Sequence, residues 1–223
     1  MHIEVLVEDA SGSRLLEHLL PKLIGPSGEP HSWRIHPYKG IGRIPKGLRP
    51  RGGAEKRILL DQLPRVLRGY GKTHGVDAVL VVVDVDAQDC IAFLHELQGV
   101  AASCAPGLRV LFRLAIEEVE AWYFGDRHAL LTAYPRGRRF PLDTYEQDSI
   151  CGTWETLADA IHDGGAETLR RAGWPLVGEV KHEWADKIGP LMEIERNTSP
   201  SFRKLRDGLR RLTGERIPSS ASD

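Results

Sequence analysis

The residues most able to do chemistry are carboxylates placed at abrupt ends of apolar runs. Val79-Leu-Val-Val-Val-Asp-Val-Asp86 is a valine-rich run that finishes in Asp84 and Asp86. Such a run reads as a strand buried on both faces, the pattern of a central parallel strand. Ile3-Glu-Val-Leu-Val-Glu8 is a second short strand with a carboxylate at its exit, and Leu108 to Ile116 is another, followed by Glu117, Glu118 and Glu120. In open α/β sheets the crevice outside the carboxyl ends of the strands is where ligands sit. Like charges gathered there are costly unless a proton or cation neutralises them, and octahedral oxygen coordination of Mg²⁺ or Mn²⁺ is the natural neutraliser. Each motif alone has a plainer reading. Asp-x-Asp is equally compatible with two solvated aspartates, and the glutamates after the fourth strand with the acidic first turn of a helix, which the macrodipole favours.

The elements that must position these groups follow from periodicity. Leu15, Leu16, Leu19, Leu20, Leu23 and Ile24 recur at helical spacing after the first strand, with Asp9, Ser11 or Ser13 as the cap and Gly25-Pro26 as the stop. A second strand is expected over 32–37, and a helix over 54–70 that Pro64 should bend or break. Ile91, Leu94, Leu97 and Val100 mark a helix between the third and fourth strands. Strands alternating with helices predict right-handed crossovers and an α/β fold with a mainly parallel four-stranded sheet flanked by helices. If strands one, three and four run parallel, Glu8, Asp84, Asp86 and Glu117 to Glu120 emerge at one edge. Glu120 is favoured among the last group, because it shares a face with Glu118 on extended chain and with Glu117 on a helix.

Beyond 126 the pattern is helical. Trp154, Leu157, Ala158 and Ile161 suggest one amphipathic helix, Trp184, Ile188, Leu191 and Met192 another, and these aromatics read as core. Ser199-Pro200 opens a last helix with Phe202, Leu205, Leu209 and Leu212 inward and Arg203, Lys204, Arg206 and Arg210 outward. The expected organisation is an α/β core over 1–126, a helical extension packed on it over 127–217, and a flexible tail over 218–223.

Composition bounds the function. The 223 residues are 41% hydrophobic and 27% charged, ordinary for a soluble globular protein. No apolar stretch approaches the roughly 18 residues that span a bilayer, and the N-terminus lacks a signal-like segment, so a cytoplasmic location is expected. Cys90, Cys104 and Cys151 have no CxxC spacing, which argues against a disulfide framework or a cysteine zinc site. His31, His36, His162 and His182 lack paired-ligand spacing, and no GxSxG elbow occurs, so a zinc hydrolase or serine hydrolase finds little support. His36, at the end of the second strand, is placed to line the same crevice.

The net charge of -1 hides a basic stretch. From Tyr38 to Gly53 the chain carries Lys39, Arg43, Lys46, Arg49 and Arg51, no acidic residue, and glycines at 40, 42, 47, 52 and 53. Lys/Arg contacts to the backbone supply most sequence-independent affinity for nucleic acid, and glycines let the chain approach phosphate closely. A solvated loop with Pro and Gly as turn residues is the plainer alternative.

The motifs resemble the Toprim-type fold, and within it small bacterial Toprim-like proteins related to OLD-type nucleases and to nuclease partners of defence ATPases. The resemblance is carried by Val7-Glu8, Val83-Asp-Val-Asp86, Ile116-Glu-Glu-Val-Glu-Ala-Trp-Tyr-Phe-Gly-Asp126 and Asn197-Thr-Ser-Pro-Ser-Phe-Arg203. It implies metal-dependent phosphodiester chemistry, with Glu8, Asp84 and Asp86 as its carboxylates. Beside the resemblance, a carboxylate not fully committed to metal can act as general base or acid, and Glu8 is the choice for that role. Lys181 would be the catalytic or phosphate-binding lysine of related nucleases. Asp9 stands where the family usually has glycine, and Ser13 where related members often have a second glutamate.

The expected function is therefore a Mg²⁺- or Mn²⁺-dependent nuclease on DNA or RNA, with Glu8, Asp84, Asp86, Glu118 and Glu120 as metal ligands, possible service as a phage-defence effector, and a partner ATPase as a candidate regulator. The alternative is a noncatalytic Toprim-like module that binds nucleic acid or docks on an ATPase. An Asp-x-Asp glycosyltransferase is weaker, since no nucleotide-sugar site is evident.

Overall fold

A computed structural model describes residues 1–49, 57–86 and 88–214. Its centre is a four-stranded, all-parallel sheet in the order β2-β1-β3-β4, made of β1 (His2–Val7), β2 (Ser32–Pro37), β3 (Ala78–Asp84) and β4 (Arg109–Ala115). β3 is the valine run, and its alternation divides the core. Ala78, Leu80 and Val82 join Ile3, Val5 and Val7 in one hydrophobic cluster, while Val79, Val81 and Val83 join Leu6 in another. The first cluster lies under α1 (Ala10–Ile24), the second under α2 (Leu59–Tyr70) and α3 (Cys90–Cys104).

The connections explain this division. β1 crosses through α1 to β2 on one side, whereas β2 crosses through α2 to β3, and β3 through α3 to β4, in the opposite direction. With right-handed crossovers, reversing the direction of travel puts the helices on the opposite face. The reversal makes a topological switch point between β1 and β3, whose carboxyl ends carry Glu8 and Asp84.

α1 is capped by Asp9, whose Oδ1 accepts from Gly12 N–H at 2.7 Å, and ends at Gly25 with φ +83°. Asp9 is one of the caps expected from the sequence, so its carboxylate already has a helix-starting role. α2 begins at Leu59 and continues through Pro64 to Tyr70, so the expected break does not occur. Pro64 lies in the second turn, where few preceding hydrogen bonds are lost, and it is itself buried. The 54–56 part of that expectation lies outside the described residues.

The remaining helices are α4 (Ala121–Phe124), α5 (Arg127–Ala133), α6 (Arg139–Thr144), α7 (Thr153–Ile161), α8 (Gly165–Ala172), α9 (Trp174–Ile188) and α10 (Pro200–Thr213). α9 packs on α1, and α10 packs on β4 and α1. Their buried residues continue the α1-side cluster, so sheet and C-terminal helices share one core; Trp154 and Trp184 lie in it. No helix among the described residues is long and apolar enough to cross a membrane.

The short α4 is the hub of this union. Trp122, Tyr123 and Phe124 are fully buried, Trp122 Nε1 donates to Ser201 Oγ at 2.9 Å, and Asn197 Nδ2 donates to the Trp122 carbonyl at 2.8 Å. Ser199 caps α10 as its sequence suggests, and Asp148 accepts from Ser199 and Ser201. Gly125 is where the two segments touch most closely. A Cβ there would stand 2.0 Å from Asn197 Oδ1 and 2.8 Å from the Ser199 amide nitrogen. Gly125→Ala is expected to cost about 1–3 kcal/mol by overpacking, measured by urea denaturation; an unchanged midpoint would show that the junction yields freely.

Candidate acidic site at the switch point

Glu8 sits one residue beyond β1 and its Oε2 accepts the Asp84 backbone N–H at 3.2 Å, across the boundary between β1 and β3. The first strand end and the Asp-x-Asp strand end therefore meet, on the same edge of the sheet. The chain beyond β3 continues with Val85 buried and Asp86 exposed, with φ +50°. Asp86 N–H donates to the Glu117 carbonyl at 3.2 Å in an isolated antiparallel bridge, which brings the end of β4 alongside.

The charges are closely coupled. Burial is the main reason Glu8 is pushed up to about 7; Asp9 and Asp86 add to it, while the amides of Asp84 and Ile41 oppose it. Asp84 is raised well above the usual range by burial and then by Glu8, Glu120, Asp9 and Glu118. Glu118 is pushed up to about 8 by burial and by Glu120, with Lys181 acting against both. Asp84, Glu8, Glu118 and Glu120 thus belong to one electrostatic group, reached from three strand ends.

Lys181 supplies a cation within it. Its Nζ is 3.1 Å from Glu118 Oε2 and 3.3 Å from Glu120 Oε1. Burial disfavours the ammonium, but Glu120, Glu118 and Asp84 outweigh that penalty and hold it protonated beyond the usual lysine range. The same Nζ lies 5.9 Å from the Trp154 ring centroid. Position 181 is reached because α9 packs along α1, which itself starts one residue after Asp9.

Glu117 has a different task. Its carboxylate accepts from the backbone N–H groups of Cys151, Gly152 and Thr153 at 2.9–3.1 Å and from the Thr153 hydroxyl. It caps α7 from outside the helix, so its own burial is outweighed by these donors and it is held below the usual carboxylate range. Its φ of +59° is costly for a glutamate, by about 1–2 kcal/mol, and is maintained by these hydrogen bonds. Sequence reasoning grouped Glu117 with its neighbours because nothing local marks a cap supplied from 36 residues away.

An all-oxygen donor set suits a hard divalent cation. Glu120 Oε2 is buried without a hydrogen-bond partner among the described residues, and the Asp84 carboxylate adjoins it electrostatically. Yet among the described residues no group of three or more His, Cys, Asp or Glu is already arranged to hold a metal. Among the described residues Glu8, Asp84 and Asp86 form no ion pair, while Glu118 and Glu120 face Lys181.

Lys39, Arg43, Lys46 and Arg49 are all exposed and form no ion pair among the described residues; Arg51 lies outside the described residues. The loop is fastened to the acidic edge by Gly40 N–H, which donates to the Glu8 carbonyl at 3.0 Å. Basic residues of α10 are less free, since Arg206 and Arg210 both pair with Glu195. Comparison of the chain with protein-family models, curated proteins and solved structures finds no match.

Glu8 also predicts a pH dependence. Its raised value means that the unfolded chain releases the proton first, near pH 4.5, so the stability contribution present below that pH is lost as pH rises through about 7. Glu117 and Asp126, held low, act in the opposite sense but at acid pH. In EDTA, stability should fall between pH 5 and 8, and Glu8→Gln should remove on the order of 2–3 kcal/mol of that fall. Identical pH profiles by urea denaturation would refute the shift.

Proposed function

We propose that the chain is a divalent-metal-dependent phosphodiesterase acting on nucleic acid. The observation that carries this reading is the meeting of Glu8 and Asp84 at the switch point of a parallel sheet, within one electrostatic group that includes Glu118, Glu120 and Lys181. Resemblance of the strand-end motifs to Toprim enzymes supports the same chemistry.

Glu8, Asp84 and Asp86 would hold Mg²⁺ or Mn²⁺, which supplies activation of water and neutralisation of phosphoryl charge. Where it is not committed to the ion, Glu8 would serve as general base toward an attacking water, since burial in the metal-free protein raises its proton affinity. Lys181 keeps its proton and presents fixed positive charge beside the carboxylates, suited to a phosphoryl oxygen. Lys39, Arg43, Lys46 and Arg49 would bind the backbone without reading sequence.

A second reading, a noncatalytic nucleic-acid-binding module, is favoured by one observation: Lys181 already neutralises Glu118 and Glu120 internally. Labelled single- and double-stranded DNA and RNA, incubated with Mn²⁺ or with EDTA, separate the two. Metal-dependent cleavage supports the enzyme, whereas retention of nucleic acid without cleavage supports the module.

A further inference from the structure

On the α2 side of the sheet, Glu4 stands in the middle of β1 as a buried carboxylate among apolar neighbours. A central strand does not tolerate an unpartnered charge, and Glu4 is enclosed by polar groups. Its Oε2 is 2.5 Å from His36 Nε2 and 3.4 Å from the Tyr70 hydroxyl, and its Oε1 is 3.3 Å from His2 Nε2. The contact at Nε2 orients the His36 ring, the arrangement by which a carboxylate positions a functional imidazole.

His36 and Tyr70 line a cavity of about 530 Å³, within the range of small-molecule sites. Glu4 stays behind His36 and is not part of the wall. Tyr38, Arg57, Arg65 and Thr73 also line it, so that among the described residues the wall carries two guanidiniums, an imidazole and two phenols but no carboxylate. Arg65, exposed on α2, makes no hydrogen bond or ion pair among the described residues, and the Tyr38 hydroxyl has no partner there either. Arg57 is held by a bond to the Pro37 carbonyl and acts electrostatically on Tyr38. Guanidinium forks with free N–H groups, beside hydroxyl donors, match the oxygens of a phosphate.

We propose that this cavity binds a phosphomonoester, its phosphate held by Arg57, Arg65 and the Tyr38 hydroxyl and facing His36. The cavity is distinct from the acidic cluster, none of whose carboxylates lines it, and His36 is in register with Leu6, about 7 Å along the chain from Glu8. The ligand is either a free mononucleotide-type phosphate or the phosphorylated end of a nucleic-acid chain.

Calorimetric titration of the full chain in EDTA tests this independently of hydrolysis. A nucleoside 5′-monophosphate is expected to bind at least about tenfold tighter than the matched nucleoside, and Arg65→Gln to weaken it about tenfold without changing the melting temperature. Arg57→Gln should weaken binding likewise, and supplies a second variant should either fold poorly. Equal binding of nucleotide and nucleoside, no binding of either, or unchanged affinity in both folded variants overturns the proposal. Competition by 5′-phosphorylated and 5′-hydroxyl oligonucleotides then identifies the source. Preference for the phosphorylated chain marks a nucleic-acid end, and no preference marks the free nucleotide. Absence of nucleotide binding by the wild type, with metal-dependent cleavage present, would refute the cavity alone; nucleotide binding without cleavage would refute the hydrolytic reading alone.

Discussion

Lys181→Met is expected to lower the free energy of unfolding by on the order of 3 kcal/mol, the largest loss of any single substitution at the acidic edge. The lysine's ammonium is the shared partner of Glu118 and of Glu120, whose side chain is 2% exposed. Methionine keeps most of the aliphatic volume, so packing changes little and the loss reports the charges left behind. Removing one side of a buried ion pair is costly because the other side remains desolvated. The figure lies at the low end for such pairs, since Lys181 and Glu118 keep side-chain exposures of 15% and 19%. Two further results belong to the same account. Glu120→Gln in the Lys181→Met background should recover part of the loss, and Mn²⁺ should stabilise that single variant more than the wild type. A change below about 1 kcal/mol in urea denaturation would mean that the carboxylates simply take up protons and the ammonium contributes little.

Glu8→Gln is expected to reduce metal-dependent cleavage about 100- to 10,000-fold, the range for losing a general base, while making the metal-free protein more stable above pH 7. Glutamine is nearly isosteric and its carbonyl still accepts the Asp84 amide, so the local backbone is retained. What disappears is a carboxylate raised to about 7 by burial and by Asp9 and Asp86. Asp84→Asn should behave alike, because Asp84 is raised by burial and by Glu8, Glu120, Asp9 and Glu118. Opposite signs for activity and stability are the signature of a site that folding tolerates for function. If both variants lose stability together with activity, these carboxylates are structural; if neither loses activity, the hydrolytic centre lies elsewhere.

The sheet was legible because β3 is a continuous apolar run and β1 is short, buried and closed by a carboxylate, both strong signals of parallel strands. Parallel order, in turn, was enough to bring Glu8 to Asp84. Other features are written in pairings distant in the chain. Lys181 meets Glu118 across 63 residues, and the Glu117 cap of α7 spans 34–36. No periodicity records such distances. Pro64 misleads for a related reason: propensity predicts a break, but the helix starts late enough that the proline disturbs only an early turn, and burial on the sheet holds it. Glu4 could have been noticed as a charge in an apolar strand, yet its partners His36 and Tyr70 are visible only after folding.

The claim on which the account rests is that Glu8, Asp84 and Asp86 together take a divalent cation. Mn²⁺ titration of the full chain, read by the electron paramagnetic resonance signal of free Mn²⁺ at pH 8, tests it directly. Saturable binding is expected in the wild type and at least about tenfold weaker binding in Glu8→Gln and Asp84→Asn, with both variants folded. Wild-type protein that leaves the free Mn²⁺ signal unchanged, or variants that bind as tightly as the wild type, would contradict it.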